Sequence, residues 1–174
     1  MKAETKTSSR DAREAAMASF EGAVERDPDR IVASAHPDYV DDFVAIGEFQ
    51  GKEAVRAFFG ELFAAMPDFE MSVERVIADE GAVAVKWRAE ATFSDAPFQG
   101  IQPTGKRVSL RGVDFFEIEN GLIRRNTIFY DGASFARQIG MLPPEGSLPD
   151  RTMLRLFNLK TRLLRPFRRR RASA

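Results

Sequence analysis

The chain has 174 residues, with 26 basic and 26 acidic residues, one His, no Cys, 15 Phe and a hydrophobic share of 44%. That supports one domain with a real core plus appendages, and the missing Cys excludes a disulfide framework and a thiolate nucleophile. A single His argues against a zinc site, which draws on several His or Cys ligands, and no apolar run reaches the roughly 20 residues that span a bilayer.

The zero net charge hides an asymmetry. Residues 1–150 carry 17 basic and 26 acidic residues, whereas residues 151–174 carry nine basic and none acidic. The body and the tail are therefore distinct electrostatic objects. The N-terminal stretch MKAETKTSSRDAREAAM is polar and lacks the apolar core of a signal peptide, so a cytoplasmic location is expected.

Residues 1–9 read as a flexible lead-in. Residues 10–26 fit a helix with Ala15, Ala16, Phe20 and Val24 as its apolar stripe. Asp27-Pro28 ends it and starts another, with Asp27 as N-cap and Pro28 at the first helical position, running through Ile31, Val32 and Ala35 to His36-Pro37. Residues 38–47, DYVDDFVAIG, read as a strand. Alternation places Val40, Asp42, Val44 and Ile46 on one face and Tyr39, Asp41, Phe43 and Ala45 on the other. The aliphatic face makes Asp42 the carboxylate out of place.

Residues 51–66 form the clearest helix, with Val55, Phe58, Phe59, Leu62, Phe63 and Met66 on a broad apolar face, stopped by Pro67. A strand over 69–78 places Phe69, Met71, Val73 and Ile77 together. A strand over 82–93 turns Val83, Val85, Trp87, Ala89, Ala91 and Phe93 one way. After a loop, residues 103–131 read as a hairpin around Asn120-Gly121, because both residues tolerate positive φ. Its first strand gathers Val108, Leu110, Gly112, Asp114, Phe116 and Ile118, a second apolar face holding one carboxylate. A short helix over 132–140 follows. Segregated helices and meandering strands argue an α+β fold, with helices over one face of a curved, mostly antiparallel sheet.

The stretches GKEAVRAFFGELFAAMPDF (51–69), FQGIQPTGKRV (98–108) and the ENGLI turn resemble the nuclear transport factor 2-like superfamily, and within it the SnoaL-like polyketide cyclase and ketosteroid isomerase-like groups. The resemblance covers about residues 10–142, leaving residues 143–174 as linker and tail. It implies a cone-shaped α+β domain with an apolar pocket between helices and concave sheet. Position by position, the cyclase acid on the last strand falls on Ile128 and its companion His on Asn126. An epoxide hydrolase-like site would need Arg88-Ala89-Glu90, which points outward in this register. The isomerase pair falls on Asp42, as general base, and Asp114, as protonated oxyanion donor; the isomerase Tyr falls near Phe20. Alternation selects the same two carboxylates.

The resemblance and the pattern together imply cofactor-independent, isomerase- or cyclase-like proton transfer on a small hydrophobic carbonyl compound. Candidate pocket-lining residues are Phe20, Tyr39, Phe58, Phe63, Trp87, Leu110, Phe116, Asn126, Ile128 and Tyr130. The competing class is a non-catalytic ligand-binding or interaction module. A homodimer is expected, with Val113, Phe115 and Phe129 on the outer sheet face. The tail mixes Leu and Phe with Arg, so residues 151–171 read as a basic amphipathic helix, suited either to docking on the acidic body or across a dimer or to an anionic membrane surface. No nucleic-acid motif is present, and none is expected as a partner.

Overall fold

The computed structural model describes residues 8–171, with side chains through Leu164. Helix α1 (Ser9–Glu25) starts at Ser8, whose hydroxyl accepts from the Asp11 amide. This is the ordinary N-cap arrangement that satisfies an orphan helix donor. The expected lead-in over residues 1–9 therefore loses its last two residues to the helix, and residues 1–7 lie outside the described ones. Ala12, Ala15, Ala16, Phe20 and Ala23 are buried, while Val24 is exposed.

Helix α2 (Pro28–Ile31) is one turn, capped by Asp27, whose carboxylate accepts from the Asp29 and Arg30 amides. It stops well before the predicted end. Pro37 lacks a donor and biases His36 toward extended geometry, so strand β1 (Ala35–Phe43) already includes both. The chain turns over 44–46 and returns as β2 (Gly47–Gln50), an edge strand that alternation did not separate from β1. Helix α3 (Gly51–Ala65) then leads to β3 (Glu70–Asp79), β4 (Ala82–Phe93), β5 (Lys106–Glu119), β6 (Leu122–Tyr130) and α4 (Gly132–Gln138). A long helix, α5 (Leu148–Arg171), ends the described chain.

The strands form one six-stranded sheet in the order β2-β1-β6-β5-β4-β3, curved and unclosed. All neighbours are antiparallel except β1 and β6. The fold is thus the expected α+β arrangement. The hairpin turn has Asn120 at φ 51° and Gly121 at φ 78°, the pair of left-handed residues a two-residue turn requires. On β5, Val108, Asp114, Phe116 and Ile118 are buried, and Val113 and Phe115 face out. On β3 a bulge between Val73 and Arg75 shifts the alternation. Val76 and Ala78 consequently turn inward, and Ile77, predicted to share the inner face, is exposed.

Helices α1 and α3 lie on the concave side. Phe20 of α1 packs edge-on to Phe116 of β5, with ring centroids 5.8 Å apart. Phe58 of α3 sits 4.5 Å from Phe43 of β1, 4.6 Å from Phe49 of β2 and 5.5 Å from Phe98. Edge-on and tilted contacts at these spacings are favoured by the ring quadrupole and pin the helix to the sheet.

Candidate functional site

The polar centre of the concave face comes from three strands. Asp114 stands on β5 opposite Val85 of β4 and Ile128 of β6. Trp87 stands opposite Gly112, where an added Cβ would lie 2.2 Å from the indole Cζ2. The bare glycine lets the ring lie flat across β5, so its Nε1 donates to Asp114 Oδ1 at 2.7 Å. The Asn126 Nδ2 amide donates to Asp114 Oδ2 at 3.0 Å. Beside them, β1 places Asp41 in register with Asn126. The Tyr39 hydroxyl donates to Asp41 Oδ1 at 2.8 Å. Asp41 Oδ2 and Asn126 Oδ1 are fully buried without a hydrogen-bond partner.

Burial pushes the Asp114 carboxyl up to about 7, with the Asn126 and Trp87 donors pulling the other way. Burial likewise pushes Asp41 up to about 7; the Tyr39 hydroxyl opposes the shift and the Asp114 charge adds to it. Tyr39 is raised well above its ordinary value, chiefly by burial and then by the Asp41 charge.

In front of Asp114 lies a cavity of about 120 Å³. Phe58, Phe59 and Leu62 of α3 form one wall, and Trp87, Ala89, Val108, Leu110, Ile128 and Tyr130 of the sheet form the other. Half-exposed Ile46 and Phe135 of α4 stand at the rim. Two carboxylates border the space. Glu90 is turned to Arg107, 2.6 Å away, so Asp114 is the one that faces inward without a cation. The Tyr130 hydroxyl has no hydrogen-bond partner among the described residues, and burial raises its pKa.

The structure divides the predicted site residues. Phe58, Trp87, Leu110, Asp114, Ile128 and Tyr130 line the cavity. Phe20 and Phe116 are core residues packed on each other, and Phe63 packs between Phe59 and Phe69. Tyr39 and Asn126 belong to the buried polar cluster behind the wall. Asp42 needs a correction of place: it lies on the outer face, with its Oδ2 2.6 Å from Arg125 Nη2, which also contacts Glu48. The interior face of β1 is Tyr39, Asp41 and Phe43, all buried. Val44 and Ile46, which suggested the opposite choice, are exposed in the turn beyond the strand. Asp41 is the residue that sequence reasoning missed. The aromatic flanks in Tyr39-x-Asp41-x-Phe43 were the available signal.

The glycine opposite the indole gives a direct check. Gly112→Ala is expected to displace Trp87, break its bond to Asp114 and destabilise the fold by about 1–3 kcal/mol, as overpacking does. Trp87 is the sole Trp, so intrinsic fluorescence reports the displacement and a thermal melt reports the loss.

A cone of helices over a curved sheet, with one cation-free carboxylate on an apolar cavity, defines a small α+β domain built around an internal site. The SnoaL-like polyketide cyclase family model matches residues 13–139, and the chain belongs to that family. Solved structures with the same fold include a protein from Jannaschia sp. CCS1, described as a SnoaL-like polyketide cyclase. It is 23% identical, with a TM-score of 0.69, covering 78% of this chain and 95% of that one. AclR from Streptomyces galilaeus, described as a hydroxylase, is 23% identical with a TM-score of 0.67, covering 78% and 100%. TerC, crystallised with polyporic acid, is 20% identical with a TM-score of 0.62, covering 74% and 98%. No curated protein sequence matches the chain.

Proposed function

We propose that the chain catalyses cofactor-independent proton transfer next to a carbonyl group of a small hydrophobic compound, the chemistry shared by cyclases and isomerases of this kind. The observation that carries this reading is Asp114, a buried carboxyl with a pKa of about 7, on the wall of an apolar cavity. A general acid/base works best when its pKa lies near the working pH. Asp114 removes the proton from the carbon and returns it elsewhere on the same substrate. The free Tyr130 hydroxyl, diagonal to Asp114 across the β5–β6 pair, donates to the substrate oxygen as negative charge develops there. Trp87 and Asn126 hold the carboxylate in place. The family membership supports a cyclase-like role, and the hydrophobic lining supports a polyketide- or steroid-like substrate.

Solvent deuterium exchange into simple carbonyl compounds tests this, whatever the natural substrate. Aromatic and alicyclic β-dicarbonyl compounds are incubated with the protein in D2O, and incorporation at the carbon between the carbonyls is followed by NMR above the uncatalysed background. Catalysed incorporation that disappears in Asp114→Asn supports the proposal. Incorporation at background, or unchanged in that variant, would remove it.

Asp42→Asn is expected to change the exchange rate by less than about twofold, since it breaks only a partly exposed ion pair. A loss as large as that of Asp114→Asn would return the base to Asp42.

A second reading is a non-catalytic ligand-binding module, favoured by one feature: both Asp114 oxygens already accept hydrogen bonds from the protein. Saturable binding of the same compounds without exchange, measured by quenching of Trp87, is the result that would choose it.

A further inference from the structure

Helix α5 stands apart from the domain. It runs from Leu148 to Arg171, and its described apolar side chains are exposed, from Met153 at 42% to Leu148 at 78%. At 3.6 residues per turn, Met153, Leu156, Phe157, Leu163 and Leu164 fall on one side. Arg151, Arg155 and Arg162 fall on the opposite side. Lys160 lies within the apolar side, where its stem can lie along the surface while the ammonium reaches outward. No acidic residue occurs from Arg151 to the end of the chain. The helix is therefore apolar on one side and cationic on the other, with Leu154 and Leu159 at the edges, and its one acidic residue, Asp150, is buried in the first turn.

We propose that α5 is a peripheral anchor that lies in the surface plane of an anionic lipid bilayer. An apolar face opposite a Lys/Arg-rich polar face is the pattern of helices that rest at the headgroup–acyl boundary. No helix among the described residues is long and apolar enough to cross a membrane, so the contact is with the surface.

The competing receptor is the outer sheet face, where Val113, Phe115 and Phe129 are exposed. Its charges disfavour α5. Val113 is in register with Lys86, and Arg111 with Arg88; Lys86 and Arg88 share Glu74 as their ion-pair partner, so these three cations stand against one carboxylate beside the apolar patch. A cationic helix laid there would meet charges of its own sign, whereas phosphatidylserine headgroups supply the opposite sign. Attraction of basic residues to such a surface falls off within a Debye length, so binding is salt-sensitive.

The test is co-sedimentation of the full chain with phosphatidylcholine vesicles, with and without phosphatidylserine. The full chain is expected to pellet only with the phosphatidylserine vesicles, and less so as salt rises. Phe157→Glu with Leu164→Glu removes the apolar face, and Arg155→Glu with Arg162→Glu reverses the polar one. Each pair is expected to lower the bound fraction roughly tenfold or more. Because these side chains are exposed, the domain should keep its thermal melt. Pelleting that ignores lipid charge, or that both double variants retain, overturns the proposal. So does sedimentation velocity without lipid showing a self-associating chain that Phe157→Glu with Leu164→Glu makes monomeric, combined with no vesicle binding. In that case α5 covers a second copy.

Discussion

Asp114→Asn is expected to lower carbonyl-adjacent proton exchange by roughly 10²–10⁴-fold, the usual contribution of a positioned acid/base. The change keeps the shape of the side chain. The new amide oxygen can still accept from Trp87 Nε1, where Asp114 Oδ1 accepts now at 2.7 Å. On the other side two amide nitrogens would meet, but Asn126 has a buried, unpartnered Oδ1. Rotation of the Asn126 amide turns that oxygen into the acceptor. The variant should therefore fold, and at pH 8 it should melt no lower than the wild type, because a buried charge has been removed. A large loss of rate with an undiminished melt separates a chemical role from a structural one. In the wild type the rate should rise tenfold per pH unit below about 7 and level off above it, since the base must be ionised. A rate flat from pH 5 to 8 would mean that another group limits the reaction.

Asp114 was legible in the sequence because β5 is long, regular and bounded by an Asn-Gly turn, so alternation fixed its face through all 14 residues. The same reasoning misplaced the partner carboxylate. β1 is short and ends at Phe43, and the aliphatic Val44 and Ile46 that outvoted Tyr39 and Phe43 are in a turn exposed to solvent. What fixes the inward face of β1 is its parallel pairing with β6, where Asp41 meets Asn126 and Phe43 meets Ile128. That pairing joins residues more than 80 positions apart, and no local pattern encodes it. The bulge on β3 hid Val76 for a similar reason, since one extra residue reverses every later side chain. The cavity walls were legible in part: Phe58 and Trp87 follow from their periodic elements. Phe135 at the rim depends on where α4 folds back, which periodicity does not address.

Asp41→Asn is expected to flatten the dependence of stability on pH. An ordinary carboxyl loses its proton near 3.8, whereas Asp41 in the folded chain holds it to about 7. Between those values the folded state binds a proton that the unfolded state has released. Stability therefore falls as pH rises through this window, by up to about 1.4 kcal/mol per unit, and the slope from this group vanishes outside it. From pH 5 to pH 8 the loss attributable to Asp41 is about 2–3 kcal/mol, or several degrees of melting temperature. Burial is the main cause of the held proton, because it penalises the charged form. Asp41 Oδ2 and Asn126 Oδ1 are both buried acceptors without a donor on register-paired residues. A proton on Asp41 Oδ2 removes the buried charge and turns one of these acceptors into a donor. An amide at position 41 carries such a donor at every pH, while its oxygen can still accept from Tyr39. Thermal melts at pH 5 and pH 8 should then show the variant matching the wild type at the lower pH and exceeding it at the higher. Parallel melting curves would mean that Asp41 is not the proton-holding group. In the wild type Asp114 and Asp41 both ionise around pH 7, so the pH that readies Asp114 for catalysis is also the pH at which this cluster takes on charge. The ionisation that activates the site thus also strains the fold, the trade expected where a buried charged group serves function.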